Sequence, residues 1–330
     1  MRRIWALMAL ALIAVTPTSA GLQLSAQYQF LAGSQARLHV TAQIDGAQLG
    51  TGVPLAVTGS SQADVTLQVL SVDEAGVATV QASFGPVASE LMGEAKSAPA
   101  PEPVQLRVDR LGRVLEASGG GDADLDLFAS GGIPVQAVVV LGGIVELPDR
   151  PVRVGESWTL ERAQQLPELG EVTVRTSSSL QSLDGAVAAV TTDVEANFPD
   201  FTAQNPLQGG EILVRNGVMR VQGMRRSIDA RTGLPCATEA TMTFDCIAAM
   251  GGLAELPITV NSRFRIEPIV EPAAEARAPE AARPPEATPQ LSQPAPVSRG
   301  GLSTAQWVVT TLGRHIGETL ANIMARLGRL

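Results

Sequence analysis

Aromatic side chains make up only 3% of the 330 residues, and Tyr28 is the single tyrosine. So sparse a set removes most of the stacking platforms on which carbohydrate and single-strand nucleic-acid binders depend. Basic charge is also short. The 24 Lys and Arg stand against 33 Asp and Glu, for a net charge of −9. That balance argues against a nucleic-acid partner, because phosphate binding needs basic surface to displace counterions. Lys96 is the only lysine, which reads as compositional bias rather than mechanism.

Groups that transfer protons, attack or hold metals are equally scarce. The two histidines are His39, which alternates into a predicted strand, and His315, near the carboxyl terminus. Neither has a Cys, His or carboxylate at ligand or triad spacing in the sequence. No HExxH, nucleophile elbow or phosphate loop is present. The expectation is a non-catalytic protein without a cofactor, with an unrecognised hydrolase assembled from distant positions as the lesser alternative. Arg225-Arg226 reads as one exposed and one paired arginine more readily than as an anion site.

The two cysteines, Cys236 and Cys246, do not read as a natural pair. No Gly, Pro or Asn turns the chain between them. On one strand their Cα atoms lie about 33 Å apart, at roughly 3.3 Å per residue. A disulfide needs them within about 7 Å.

The first twenty residues have the form of a secretory signal. Arg2 and Arg3 give the positive end, 4–15 an apolar run too short to span a bilayer, and Thr18-Ser19-Ala20 a small-residue cleavage site. No cysteine follows Ala20, which argues against lipoprotein processing. The expected localisation is therefore exported: periplasmic, cell-envelope or secreted.

Residues 21–268 predict one antiparallel β domain, because short alternating apolar runs are broken by turn signals. Leu22, Leu24, Ala26, Tyr28 and Phe30 alternate, as do Leu38, Val40, Ala42 and Ile44. Val65, Leu67 and Val69 lead to Asp73-Glu74-Ala75-Gly76, and Ala78 to Phe84 return. Val172 to Leu180 lead to Asp184-Gly185, a dipeptide suited to a tight hairpin. Two matched turns follow such hairpins, at Asp109 to Gly112 and at Asp229 to Gly233. Asp suits turn entry, and Gly accepts the left-handed backbone. The repeated order reads as an internal duplication with halves 21–130 and 148–268, or as chance within a long β-meander. Between them 131–147 is apolar nearly all round and predicts a short buried helix, with a core strand as the other reading.

Prolines among Ala, Glu and Arg make 269–301 a disordered linker, since such a segment cannot bury enough surface to offset its ordering entropy. Residues 302–330 predict a separate amphipathic helix. Val309, Leu312, Ile316, Leu320, Ile323 and Leu327 fall on one stripe, a face for a membrane surface, a protein partner or the domain itself. Asp122, Asp124 and Asp126 alternate as in calcium loops. However, Leu127 and Ile133 stand where the loop glycine and closing glutamate belong, so a solvated acidic loop is the favoured reading.

The stretch Pro151-Val152-Arg153-Val154-Gly155-Glu156-Ser157-Trp158 resembles an element of an uncharacterised family of bacterial exported β-domain proteins. There it follows an apolar segment ending in Leu-Pro, here Leu147-Pro148, and precedes an aspartate-to-glycine turn, here Asp229 to Gly233. The resemblance implies an exported antiparallel fold over 22–268 and no activity. By looser analogy the duplicated sheets are similar to the half-barrels of periplasmic lipoprotein carriers, which hold acyl chains on a concave face. The sequence thus leads to an exported binding or scaffolding protein with an apolar small molecule or lipid as partner. The alternative is a structural adaptor docking through the terminal helix.

Overall fold

The structure, a computed structural model, describes residues 23–24, 27–50, 53–55, 58–91, 93–119, 143–166, 170–204, 211–250 and 255–269. It is mainly β and antiparallel. The first stretch of chain gives β1 (Gln23–Leu24), β2 (Gln35–Leu49), β3 (Val53–Leu55), β4 (Gly59–Val72), β5 (Ala78–Phe84), β6 (Val87–Leu91), β7 (Glu94–Ala98), β8 (Val104–Val108) and β9 (Val114–Gly119). The second gives β10 (Val152–Arg153), β11 (Ser157–Leu166), β12 (Gly170–Asp184), β13 (Val187–Phe198), β14 (Phe201–Gln204), β15 (Glu211–Asp229), β16 (Pro235–Met250) and β17 (Leu256–Pro268).

One 15-stranded sheet follows the order β11-β12-β13-β15-β16-β17-β2-β4-β5-β8-β9. Strands β1 and β10 form a small sheet of their own. The two stretches of chain meet where β17 pairs with β2, Phe264 opposite Ala42 and Ile266 opposite Val40. The expected hairpins are present. Asp73 to Val77 closes β4 onto β5, and Gly185, with φ 57°, turns β12 into β13.

Side chains alternate across the sheet as the period of two demands. On β13, Ala188, Val190, Thr192, Val194, Ala196 and Phe198 are buried, and the residues between them are not. The opposite face carries ion pairs across the strands. Arg220 pairs with Glu195 at 3.2 Å and with Asp245 at 2.9 Å, and Arg263 with Asp45 at 3.0 Å. One face is therefore an apolar interior and the other a solvated surface.

The sheet curls around the apolar face. The Tyr28 amide donates to the Arg110 carbonyl at 2.7 Å, and the adjacent Gln29 amide to the Arg231 carbonyl at 2.8 Å. Arg110 lies in the β8–β9 turn and Arg231 in the β15–β16 turn. These strands are six steps apart in the sheet order, about 29 Å in a flat sheet at about 4.8 Å per strand. Two neighbouring residues can bond both turns only if that end of the sheet draws together. Register shifts in three successive pairings, at Leu180/Ser182, Thr192/Val194 and Gln222/Arg225, add local bending. The last is held by Gly223, whose left-handed backbone (φ 58°) brings its amide to Asp193 Oδ1 at 2.7 Å.

Two expectations need correction. Among the described residues of the alternating run 22–30, only Gln23–Leu24 form a strand. Tyr28 and Phe30 are buried as alternation predicts, but their backbone closes the end of the sheet instead of joining a ladder. The buried helix expected over 131–147 does not extend to Leu147: Gly143 is helical, residues 144–147 are not, and 131–142 lie outside the described residues.

Candidate functional site

The drawn-in end of the sheet is built on two matching aspartate turns. Asp109 Oδ1 accepts the amides of Leu111 and Arg113, both at 2.9 Å, and its Oδ2 meets Arg113 Nε at 2.5 Å. Asp229 Oδ1 accepts the amides of Arg231 at 2.8 Å and Thr232 at 3.2 Å. Each turn ends in a left-handed glycine, Gly112 (φ 79°) and Gly233 (φ 70°). The two glycines face the Tyr28 ring from separate turns. A Cβ on Gly112 would lie 3.0 Å from Tyr28 Cε2, and one on Gly233 would lie 2.9 Å from Cγ and Cδ1.

Three side chains then hold three successive carbonyls at the C-terminal end of the apolar run. Arg226 Nη1 donates to Ile144 O at 3.0 Å, Tyr28 OH to Val145 O at 3.0 Å, and Trp158 Nε1 to Glu146 O at 2.9 Å. The Leu147 amide donates to Leu111 O at 2.8 Å. The Glu146 carboxylate is tied to Arg162. Burial raises this carboxyl above its ordinary range, against the pull of Arg162 and Arg113. Segment 144–147 thus lies across the closed end, its backbone satisfied by side chains in place of a ladder.

Four of the buried polar residues lie close together. Ser178 on β12 faces Thr192 on β13, with their hydroxyls 3.0 Å apart. Val190, two residues before Thr192, faces Arg226 on β15, which faces Thr238 on β16. All four polar residues are buried. Arg226 is 5% exposed, forms no ion pair among the described residues, and its Nε has no hydrogen-bond partner. Burial pushes its guanidinium down to about 10, so it remains a cation at neutral pH. Burial pushes the nearby Tyr28 phenol well above its usual range, so it stays neutral and supplies no counter-charge.

Away from the closed end the interior is mostly apolar and partly aromatic, with Ser61, Ser89 and Ser262 as buried polar members. Phe198 lies edge-on to Phe244 with centroids 5.7 Å apart, and 6.4 Å from Phe201. Gly217 makes room for them, since a Cβ there would lie 3.2 Å from Phe198 Cβ and 3.3 Å from Phe244 Cζ. The low overall aromatic content concealed this gathering, because the three rings come from β13, β14 and β16.

The other residues marked by the sequence fall as follows. His39 on β2 faces Asp64 on β4, with Nδ1 2.7 Å from Oδ1, on the solvent face. Register alone brings this carboxylate alongside, from a different strand. Arg225 is exposed and lines an open groove of about 800 Å3 on the solvent face, where Arg265 pairs with Glu239 and Glu267. Cys236 and Cys246 both lie on β16 as free thiols. Burial pushes Cys246 up to about 12, and burial with the Asp229 charge raises Cys236.

Asp122, Asp124, Asp126 and the stripe from Val309 to Leu327 lie outside the described residues. Among the described residues no cluster of three His, Cys, Asp or Glu could hold a metal, and no helix is long and apolar enough to cross a membrane.

No protein-family model matches the sequence, and no curated protein matches it. Among solved structures, the chain is similar to one titled for lipid–protein interactions in lipovitellin, with a TM-score of 0.41 and 11% identity over 77% of this chain. It spans only 27% of that chain. It is also similar to DynF from the dynemicin biosynthesis pathway of Micromonospora chersina, with a TM-score of 0.21 and 11% identity, over 78% of this chain and 88% of that one. Neither likeness bears on function.

Proposed function

We propose that this chain is an exported, non-catalytic envelope protein that holds an apolar ligand on the inner face of its curled sheet. The observation that supports this most is the contrast between the two faces. Buried Val, Leu, Ala, Met and Phe line one side of the large sheet, and ion pairs line the other. Among the described residues no helix or second large sheet lies over the apolar face. A sheet closed at one end and lined this way suits an acyl chain or a similar elongated apolar molecule. Export rests on the first twenty residues. The absence of a catalytic role rests on the scarcity of histidine and on the exposed setting of the His39–Asp64 pair.

Titration of the full-length chain with a pyrene-labelled acyl chain tests the reading. Saturable binding with one site per chain, weakened by Val221→Arg on the inner face and unchanged by Arg220→Ala on the outer face, is the expected result. Absence of saturable binding contradicts it.

A second reading has one observation in its favour. The Ile269 amide donates to Arg37 O at 2.9 Å, so the chain leaves the sheet beside the amino-terminal end of β2, near the closed end. A tail starting there can dock 302–330 on a membrane surface or partner while leaving the aromatic end of the interior free. In that adaptor reading, a chain ending at 301 keeps its β domain and loses sedimentation with anionic liposomes. Identical sedimentation of the two chains removes the membrane version.

A further inference from the structure

We propose that the ligand of the inner face carries an acidic head group, carboxylate or phosphate, which pairs with Arg226 at the closed end. This rests on the apolar-ligand reading above and goes further, because it assigns the ligand's charge and orientation.

The three donors that hold 144–146 are not equivalent. Trp158 and Tyr28 bind their carbonyls as neutral groups. Arg226 binds one carbonyl with Nη1 but brings a full charge into the interior. A carbonyl does not require that charge, and burying an ion without a counter-ion costs several kcal/mol. Among the described residues no carboxylate answers it. The strand ion pairs of Arg107, Arg215, Arg220, Arg263 and Arg265 all lie on the solvent face, and Arg226 takes part in none.

The Nε edge of the guanidinium is buried and unpartnered. Its register neighbours are the hydroxyl of Thr238 and, one row away, the Ser178–Thr192 pair. A buried planar fork beside hydroxyls in a mostly apolar interior matches an oxyanion at the end of an acyl chain. Arg226 lies three residues from the closing turn at Asp229, and the Phe198, Phe201 and Phe244 cluster lies toward the other end of the strands. The head group is therefore innermost at the closed end, and the chain runs toward the aromatic cluster.

The test is a competition titration of full-length protein with oleate, methyl oleate and oleoyl lysophosphatidate, each displacing the pyrene-labelled chain. Wild-type protein is expected to prefer oleate over its methyl ester by about tenfold or more, the scale of one charge-assisted hydrogen bond. In Arg226→Met the preference falls to about one through weaker oleate binding, with the ester unchanged. In Arg225→Met, on the solvent face, it persists. Lysophosphatidate binding more tightly than oleate points to a phosphate head, and the reverse to a carboxylate.

Equal binding of acid and ester by wild-type protein overturns the head-group assignment and leaves the apolar-ligand reading standing. Failure of all three to bind overturns both. Should Arg226→Met not fold, as judged by circular dichroism, the wild-type ratio of acid to ester decides the matter by the same criterion.

Discussion

The Tyr28 ring packs so closely on Gly233 that a Cβ at Gly233 would sit 2.9 Å from two ring carbons. Gly233 also holds a left-handed backbone, as does Gly155, whose Cβ would meet nothing within 4 Å. The pair separates backbone strain from crowding. Gly155→Ala carries only the left-handed penalty, about 1–2 kcal/mol. Gly233→Ala adds overpacking, for about 2–5 kcal/mol in all. Urea unfolding of the two variants checks this, and equal losses would show that the ring does not depend on the glycine.

The carbonyl clasp of 144–146 predicts coupled losses. Tyr28→Phe keeps the ring and leaves the Val145 carbonyl buried without its donor, a loss of about 1–3 kcal/mol. Trp158→Phe does the same at Glu146. Because both act on one short segment, a double-mutant cycle should give a coupling of at least about 0.5 kcal/mol. Simple additivity would mean the two contacts hold independent pieces of chain.

Much of this architecture is legible in the sequence, and the reason is periodicity. Alternation placed Val65 to Phe84 and Val172 to Phe198 as hairpins with one apolar face, and turn chemistry placed Asp109, Asp184 and Asp229 at chain reversals. These are local signals. The closure is not, because it depends on which strands meet. Nothing near Leu38 announces β17 as its partner, and nothing near Tyr28 announces two turns separated from each other by over a hundred residues. The interior followed the same division. Buried alternation was readable, whereas the solitary charge of Arg226, the register pairing of His39 with Asp64 and the gathering of three phenylalanines arise only from the sheet order. Of the exposed and the paired arginine expected at Arg225-Arg226, Arg225 is exposed, whereas Arg226 is buried on a backbone carbonyl and pairs with no carboxylate among the described residues.

The buried thiol of Cys246 predicts falling stability in alkali. In the unfolded chain this thiol ionises from about 9 upward, and in the folded chain only near about 12. Between those values the folded state holds a proton that the unfolded state has released, so stability falls as pH rises. The limiting slope is about 1.4 kcal/mol per pH unit for one proton. Cys236 and Tyr28, both also raised, add in the same sense, and Arg226, lowered to about 10, opposes them. Urea midpoints of wild type and Cys246→Val between pH 8 and 10.5 should diverge, with the variant the flatter. Parallel profiles would remove the thiol from the account.

The His39–Asp64 pair, by contrast, should matter little. Its side chains are 40% and 67% exposed. Exposed pairs contribute about 0–1 kcal/mol, so His39→Ala should shift stability by no more than about 0.5 kcal/mol. It should also leave binding of the pyrene-labelled chain unchanged. A large loss of binding would place function on the solvent face.

The interior as a ligand chamber is the central claim, and native mass spectrometry of the full-length chain, exported from its expression host and purified without detergent, tests it most directly. The account predicts a bound mass of lipid size that is lost in Val221→Arg. A bare protein mass in both would contradict it.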